Sequence, residues 1–297
     1  MNQKKRVKGI ILAGGYGTRL YPLTIGISKQ LLPVYDKPMI YYPLYILMQA
    51  GIRDVLIIST KEELPRFKKL FGNGYKLGIK IDYKNQDEPR GIAEAFIIGN
   101  KFISNDNVVL ILGDNIFFGK NFKTKLNEAK KHLEIGISSI FTKEVENPND
   151  FGVIKFDVNN QIEKIIEKPK INIGKNVVCG IYFYTNEVVE ISRKLKPSKR
   201  GELEITDINN YFLKNRKLNA ILLDEDIIWS DVGTYDSLLK ISRYFYDYEK
   251  EFKKKVACIE ELALSLGYIS ESEFLLMANH MINSDYGKYL IRKIEDN

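Results

Sequence analysis

The chain has 297 residues, of which 44% are hydrophobic and 28% are charged. This balance is that of a globular protein with a sizeable core, and no apolar run is long enough to span a bilayer. The net charge is +7, but the basic residues are dispersed among acidic ones and follow no helix-turn-helix, zinc or RNA-binding pattern. We therefore expect neither a nucleic-acid partner nor a membrane partner.

Cysteine and histidine are scarce, the only ones being Cys179, Cys258, His132 and His280. Two isolated thiols are typical of a reducing compartment, and so few histidines leave little material for a zinc site or a Ser-His-Asp triad. The basic segment 1–6 precedes an apolar run that ends at Gly14, which is too short for the core of a signal peptide. We expect a cytoplasmic protein.

The first half predicts strands that alternate with helices. Short apolar runs predict strands over 7–13, 55–60, 79–86 and 108–113. Between and after them we predict helices over 38–50, 91–102 and 122–132, with a further helix opened by a capping box at Thr60 and Glu63. This order favours a parallel sheet covered by helices on both faces, so the turns after Ala13, Gln86 and Gly113 should meet at one pocket.

The pattern changes from Ile135 onward. Asn159 and Asn160 predict a hairpin turn between strands over 152–157 and 161–167. The remaining elements predicted are strands over 177–184 and 219–228, helices over 187–195, 201–213, 234–252 and 285–294, and a helix capped by Ser270 and Glu273. We predict an α/β core over 1–252 with an inserted β-rich lobe over about 135–228, and a helical C-terminal appendage over 253–297.

A glycine-rich turn follows the first predicted strand and consists of Gly14, Gly15, Tyr16, Gly17, Thr18 and Arg19. Glycine lets backbone N–H groups approach phosphate oxygens, although a tight turn without a ligand is the alternative. Leu20 stands where the Rossmann fingerprint requires a third glycine, and the Walker pattern is absent. The guanidinium of Arg19 and the ammonium of Lys29, further along, favour a phosphate ligand.

Two carboxylates follow predicted strands. Asp114 comes directly after the strand over 108–113, and Asp231 lies just before Thr234, where a helix is predicted to begin. A carboxylate at the carboxyl end of a strand is well placed to bind a metal, and a helix N-cap is the alternative for each of the two.

The chain is similar to a known family over nearly its whole length. Residues 12–24 (LAGGYGTRLYPLT) and 28–34 (SKQLLPV) resemble the signature of the sugar-1-phosphate nucleotidylyltransferases. Residues 35–43 (YDKPMIYYP) and 200–207 (RGELEITD) are similar to the glucose-1-phosphate thymidylyltransferases in particular, and the likeness extends to 286–289 (YGKY). The resemblance implies a Rossmann-like nucleotidylyltransferase fold. It also implies transfer of a deoxythymidylyl group from dTTP to glucose 1-phosphate, with Mg²⁺ as cofactor.

The resemblance also implies roles for individual residues. Those implied for catalysis are Arg19, Lys29, Asp114 and Asp231, the two carboxylates holding Mg²⁺. Those implied for nucleotide binding are Leu12, Gly14, Gly15, Gly17, Thr18, Arg19, Gln30, Gln86, Gly91 and Asp114. Those implied for the sugar phosphate, in the β-rich lobe, are Gly152, Glu167, Lys168, Val178 and Tyr182. By residue type alone, Gln86 equally fits a surface position, Glu167 and Lys168 an exposed ion pair, and Tyr182 the core.

The chain departs from the family pattern near the implied nucleotide and metal sites. Arg90 and Glu94 stand where thymidylyltransferases often carry Asp and Gln, and Ser230 and Val232 where relatives often carry Leu and Thr. Uridylyl or cytidylyl transfer is therefore the alternative activity. A dinucleotide-dependent oxidoreductase and an inactive regulatory subunit are alternatives of other classes. The missing third glycine argues against the first of these, and the retained charged residues argue against the second.

The resemblance further implies a homotetramer that feeds dTDP-rhamnose synthesis for cell-surface polysaccharide and has a second nucleotide site between subunits. Cys258 and Glu261 match residues of that site, whereas residues 224–226 (DED) stand where relatives commonly have Gly-Arg-Gly. Acidic side chains repel an anionic nucleotide. We therefore expect a tetramer whose second site binds a dTDP-sugar weakly.

Overall fold

The structure, a computed structural model, describes residues 5–295, so part of the basic N-terminal segment and the last residues of the predicted appendage lie outside it. The strands are β1 (Val7–Leu12), β2 (Pro33–Val34), β3 (Lys37–Pro38), β4 (Asp54–Ser59), β5 (Lys80–Asn85), β6 (Asn107–Leu112), β7 (Ile116–Phe118), β8 (Ser138–Glu144), β9 (Gly152–Phe156), β10 (Ile162–Glu167), β11 (Asn176–Tyr184), β12 (Leu218–Leu222) and β13 (Ile228–Ser230). The helices are α1 (Tyr41–Gln49), α2 (Leu64–Phe71), α3 (Glu94–Ile98), α4 (Asn100–Ile103), α5 (Phe122–Glu134), α6 (Glu187–Lys194), α7 (Ile205–Lys214), α8 (Tyr235–Phe252), α9 (Ile259–Ser265), α10 (Glu271–His280) and α11 (Asp285–Glu295).

One large sheet organises the fold. Within residues 5–295 it has nine strands in the order β10-β9-β11-β6-β1-β4-β5, and β8 pairs with both β11 and β12. Strands β5, β4, β1 and β6 are parallel, whereas β11 is antiparallel to β6. Separate buried clusters cover the two faces. The predicted α/β fold, with a mostly parallel central sheet and helices on both faces, is confirmed. Among residues 5–295, no helix is long and apolar enough to cross a membrane.

The central strand β1 shows why the apolar runs form strands. Ile10 and Ile11 are fully buried and belong to different clusters, so consecutive side chains enter opposite cores. Leu12, the last residue of the strand, pairs with Ile58 on one side and Leu112 on the other. The carboxyl ends of β1, β4 and β6 are therefore level, and Ser59 at the end of β4 pairs with Asn85 at the end of β5, so the turns after Ala13, Gln86 and Gly113 leave at the same edge of the sheet.

The second half extends the same sheet. Residues 135–228 contribute β8 to β12, and the predicted hairpin is confirmed: Asn160 has φ 58°, and Asp157 Oδ1 accepts the N–H groups of Asn159 and Gln161. The C-terminal helices α9, α10 and α11 pack into one of the two buried clusters of the sheet. The proposed division at residue 252 stays a prediction.

Two helix starts were predicted wrongly. Pro38 belongs to the small β2–β3 hairpin, so α1 begins only at Tyr41. No side chain caps α2, so the capping box predicted at Thr60 is wrong. The carboxylate of Glu63, which was expected to reach back to the helix start, instead accepts the Ser28 N–H at 3.1 Å.

Three other predicted elements differ from the structure. The helix predicted over 91–102 is divided into α3 and α4, which meet at Gly99. The strand predicted over 219–228 ends at Leu222, as β12. Its last residue, Ile228, begins β13, which belongs to a different sheet. The helix predicted from residue 201 begins at Ile205, because Glu204 is extended and its carboxylate binds Arg200. The sequence did not predict β2, β7, β8 or α9.

Candidate active site

The glycine-rich loop after β1 has a backbone that requires glycine. Gly15 and Gly17 have φ of 91° and 59°, in the left-handed region that side chains disfavour. A Cβ on Gly17 would lie 3.2 Å from Thr24 and 3.3 Å from Lys29, and the Thr24 hydroxyl donates to the Gly17 carbonyl. The loop is thus folded tightly against the segment that carries Lys29.

This loop forms one wall of a cavity, called here the loop cavity. Its lining residues are Gly14, Gly15, Gly17, Thr18, Arg19, Leu20, Lys29, Gln30, Asp114 and Gly233. Lys29 is 6% exposed, and its Nζ donates to Asp114 Oδ2 at 2.7 Å and to the Asp231 carbonyl at 3.2 Å. A buried ammonium beside a glycine-rich loop suits an anionic ligand such as phosphate.

Lys29 contacts both Asp114 and Asp231, and neither aspartate caps a helix. Strand β7 follows Asp114, and the Thr234 side chain caps α8, so the N-cap alternative fails for both carboxylates. Burial and then the negative charge of Asp114 raise the pKa of Asp231, against the opposing effects of Lys29 and Arg19. Arg19 lies with its guanidinium 3.9 Å from Asp231 Oδ2.

Asn115 holds Asp114 in place, a role that sequence reasoning missed. Asn115 is 2% exposed, and its Nδ2 donates to Asp114 Oδ1 at 2.9 Å. Its Oδ1 accepts the Gly180 N–H at 3.2 Å and the indole N–H of Trp229 at 2.7 Å. The carboxylate is therefore oriented by a buried network that joins β11 and β13. The one available signal was that Asn115 directly follows Asp114.

A second cavity, called here the lobe cavity, lies between the β-rich segment and the strand ends. All five residues predicted for the sugar phosphate line it, namely Gly152, Glu167, Lys168, Val178 and Tyr182. It is also lined by residues that the site prediction did not include, among them Asn115, Arg200, Thr206 and Trp229. Its wall includes Arg19 and Asp114, which line the loop cavity as well. The two cavities therefore meet at a guanidinium and a carboxylate.

Within the lobe cavity, Thr206 and Arg200 orient Glu167, and the adjacent Lys168 does not. Its Oε2 accepts from the Thr206 hydroxyl at 2.6 Å, and its Oε1 lies 4.0 Å from Arg200. Among residues 5–295 it makes no ion pair with Lys168, so the alternative of an exposed pair is wrong. Tyr182 is 3% exposed and belongs to a buried cluster as well as to the cavity wall. Burial raises its pKa, so its hydroxyl stays protonated and can donate.

Three residues predicted to bind nucleotide lie outside both cavities. Leu12 is partly buried at the end of β1. Gln86 is 4% exposed and lies beside the loop, since a Cβ on Gly14 would be 2.7 Å from its Oε1. Gly91 has φ 102°, and a Cβ there would be 2.4 Å from the Leu203 carbonyl. Gly91 therefore allows the segment after β5 to pack against the segment that precedes α7.

Comparison with known proteins identifies the family of this chain. The sequence profile described as nucleotidyl transferase matches residues 8–248. A glucose-1-phosphate thymidylyltransferase of Neisseria meningitidis serogroup A is 46% identical over 289 residues, which is 97% of this chain and 100% of that protein. One of Mycobacterium tuberculosis is also 46% identical, over 98% of this chain and 100% of its own length.

Solved structures are similar in fold. A Bacillus anthracis protein, crystallised with sucrose and provisionally designated a glucose-1-phosphate thymidylyltransferase, has a TM-score of 0.74 and 40% identity. The match covers 80% of this chain and 95% of that one. A UDP-glucose pyrophosphorylase in complex with UDP-glucose has a TM-score of 0.72 over 82% of this chain and 100% of its own length, at 24% identity, which supports the fold alone.

The fold and the site together define an enzyme that transfers a nucleotidyl group. The chain belongs to the nucleotidyl transferase family, and its relatives of 46% identity are glucose-1-phosphate thymidylyltransferases.

Proposed function

We propose that this protein transfers a deoxythymidylyl group from dTTP to glucose 1-phosphate, giving dTDP-glucose and pyrophosphate. The observation that carries the proposal is the junction of the loop cavity and the lobe cavity at Arg19 and Asp114. If a triphosphate binds against the glycine-rich loop and a sugar phosphate binds in the lobe cavity, their phosphates meet at this junction. The names of the full-length relatives support the same pair of substrates.

The reaction needs one displacement at phosphorus. A phosphate oxygen of glucose 1-phosphate attacks the α-phosphorus of dTTP and forms the new P–O bond. The bond from that phosphorus to the oxygen bridging to the β-phosphate breaks, and pyrophosphate leaves with the electron pair. The attacking oxygen is already anionic near neutral pH, so no general base is required. Catalysis then depends on positioning and on neutralising charge.

Residues of this chain can provide both the positioning and the charge neutralisation. Lys29, held between Asp114 and the Asp231 carbonyl, would neutralise charge near the α-phosphate. Arg19, on the wall of both cavities, would neutralise the departing pyrophosphate. In the lobe cavity, Glu167 would accept hydrogen bonds from sugar hydroxyls and Lys168 would bind the sugar phosphate.

We propose Mg²⁺ as the cofactor, held by Asp114 and Asp231. The residues fit this ion because Lys29 Nζ contacts both Asp114 Oδ2 and the Asp231 carbonyl, and because the pairing of Ser230 with Ile116 brings the two aspartates to the same end of the β7–β13 pair. Two carboxylates would leave further coordination positions for phosphate and water, as Mg²⁺ prefers. When bound, the ion would neutralise phosphate charge as a Lewis acid.

The assembly, compartment and pathway are also proposals. We propose a cytoplasmic homotetramer whose product is used for dTDP-rhamnose and cell-surface polysaccharide. Apolar side chains exposed on α8 support an interface, since Leu239, Tyr244 and Phe252 are 71%, 41% and 52% exposed.

A pyrophosphate-release assay with dTTP and glucose 1-phosphate tests the proposed reaction. We expect release only when both substrates are present, dTDP-glucose as the product by mass spectrometry, and no nucleotidylated enzyme after incubation with dTTP alone. Release from dTTP alone with a covalent adduct would contradict direct transfer, and no release with both substrates would contradict the function.

A further inference from the structure

Val232, between Asp231 and Gly233, has a backbone conformation that its own side chain disfavours. Its φ is 37°, in the left-handed region, and among residues 5–295 it is the only β-branched residue with a positive φ. A branched Cβ crowds the backbone in this region, so the conformation persists only where the surroundings impose it. Contacts elsewhere in the fold therefore have to hold this turn.

The side chain of Val232 supplies that constraint, because it is fully buried. It belongs to a hydrophobic cluster that also contains Val34 of β2, Ile116 of β7 and Ile241 of α8. Removal of a buried valine from a close-packed cluster leaves a cavity, which is unfavourable. The backbone can therefore relax only if the side chain leaves the cluster.

The turn that this valine holds contacts both cations proposed for catalysis. The Asp231 carbonyl accepts from Lys29 Nζ at 3.2 Å. The residue after Val232 is Gly233, which packs against Arg19, since a Cβ on Gly233 would lie 2.9 Å from Nη2 of that guanidinium. A change in the backbone at Val232 would therefore alter a contact of each cation.

We infer that Val232 is a positioning residue, whose buried side chain holds residues 231–233 in a strained turn that places the Asp231 carbonyl against Lys29 and Gly233 against Arg19. This inference rests on the proposed function, in which Lys29 and Arg19 neutralise phosphate charge. Val232 acts through the backbone of its neighbours. Its substitutions should therefore affect turnover according to the conformation that they allow, and not according to the volume that they remove.

Val232→Ala and Val232→Gly separate the backbone conformation from the packing. Val232→Ala removes the buried methyl groups but keeps a Cβ, so the left-handed conformation stays disfavoured and is no longer imposed. Val232→Gly removes more buried volume, yet glycine adopts this conformation without strain. A role in the conformation of the turn predicts more damage from Val232→Ala, whereas a role in packing alone predicts more damage from Val232→Gly.

The test measures kcat with dTTP and glucose 1-phosphate, and amide hydrogen exchange of the segment 229–234 without substrates. We expect Val232→Ala to lower kcat at least about tenfold and to accelerate exchange, because backbone strain of this kind drives a shift of that order. Val232→Gly should lower kcat less and exchange more slowly than Val232→Ala. Val232→Thr keeps the branched shape and should retain the wild-type kcat.

Ile241→Ala is the matched control, because it removes apolar volume from the same buried cluster at a position on α8, outside the turn. It should lower the free energy of unfolding and leave both kcat and the exchange of the segment 229–234 unchanged. A Val232→Ala variant that does not fold, beside a folded Val232→Gly, gives the expected order and supports the inference. If neither folds, the wild-type segment 229–234 has to exchange more slowly than the exposed hairpin at 157–161, and faster exchange overturns the inference.

The two proposals can fail separately. If the wild type makes dTDP-glucose but Val232→Gly is impaired as much as Val232→Ala in kcat and in exchange, this inference alone is overturned. A wild type without thymidylyl transfer overturns the proposed function, and the order of the exchange rates still tests what holds the turn.

Discussion

The cationic and acidic side chains proposed for catalysis lie together where the cavities meet, namely Arg19, Lys29, Asp114 and Asp231. At the scale of single residues, their burial and contacts differ. Lys29 is buried and bound to Asp114, whereas 61% of the Arg19 side chain is exposed, which leaves it room to bind an incoming ligand. Asp231 is partly buried among charges of both signs. We therefore assign different roles to the four side chains, and substituting them one at a time distinguishes these roles.

The carboxylates should be required for turnover. Asp114→Asn or Asp231→Asn should lower kcat at least about a hundredfold, because each removes a charge that we assign to Mg²⁺ binding. Asp247→Asn, which alters a surface pair with Arg243, is the matched control and should leave kcat unchanged. Steady-state kinetics with and without excess EDTA measure both effects, and undiminished activity in EDTA would contradict the metal dependence.

Arg19 should act mainly on the chemical step. Arg19→Ala should lower kcat at saturating dTTP as well as kcat/KM, because negative charge on the leaving pyrophosphate grows toward the transition state. Arg193→Ala, which removes a surface pair on α6, is the control and should change neither constant. A rise in KM alone would show that Arg19 only binds the triphosphate.

At the scale of elements, Asn115 joins β11 and β13 to the turn after β6. Asn115→Ala would leave the buried Gly180 N–H and the Trp229 indole N–H without their acceptor. We expect a loss of about 1–3 kcal/mol in the free energy of unfolding, the cost of unsatisfied buried groups, with a fall in kcat as Asp114 loses its support. Urea unfolding followed by fluorescence measures the first effect, since Trp229 is the only tryptophan.

The control is Asn215→Ala, which removes an exposed hydrogen bond to the Tyr211 carbonyl. It should change the free energy of unfolding by less than about 0.5 kcal/mol. If Asn115→Ala unfolds at the same urea concentration as the wild type and keeps its kcat, the network does not orient Asp114.

Gly91 determines how the segment after β5 packs against the segment before α7. Gly91→Ala would place a Cβ 2.4 Å from the Leu203 carbonyl at a φ of 102°. We expect a stability loss above the roughly 1–3 kcal/mol of backbone strain alone, and a higher KM for dTTP. Gly136→Ala is the control, because its φ is 80° but no atom lies within 4 Å of the new Cβ. Equal unfolding midpoints of the two variants would show that the close contact with Leu203 has no effect.

The core strands were predictable because they are continuous apolar runs, whereas β8 was not. Its first residues, Ser138 and Ser139, are polar yet fully buried, with the Ser138 hydroxyl accepting the Thr185 N–H. The same limit applies to the site. The charged residues stood out beside the glycine-rich loop, but the partners of Asn115 lie 65 and 114 residues away in sequence. No local pattern reveals such contacts.

For the whole molecule, the acidic residues 224–226 lie next to the cavity that Cys258 and Glu261 line. This cavity also includes Gly119, where a Cβ would be 2.9 Å from the Asp226 carbonyl. Lys125 pairs with Asp224, while Glu225 makes no ion pair among residues 5–295. The acidic charge thus persists beside the cavity where the resemblance implies a second nucleotide site.

We therefore expect a tetramer by sedimentation and weak inhibition by dTDP-rhamnose. Glu225→Arg should strengthen that inhibition, because it replaces a charge that repels the diphosphate by one that attracts it. Glu163→Arg, on the exposed edge strand β10, is the control and should leave inhibition unchanged. Potent inhibition of the wild type that is not competitive with dTTP would show that the acidic stretch does not govern this cavity.

The central claim is that one junction between two cavities joins a thymidine nucleotide to glucose 1-phosphate. The most direct test is kcat/KM from pyrophosphate release across a matrix of dTTP, dUTP, UTP, dCTP and dGTP against several hexose 1-phosphates. The account predicts the highest value for dTTP with glucose 1-phosphate and no release when the sugar 1-phosphate is omitted. A maximum with dCTP, or release that does not depend on a sugar 1-phosphate, would contradict it.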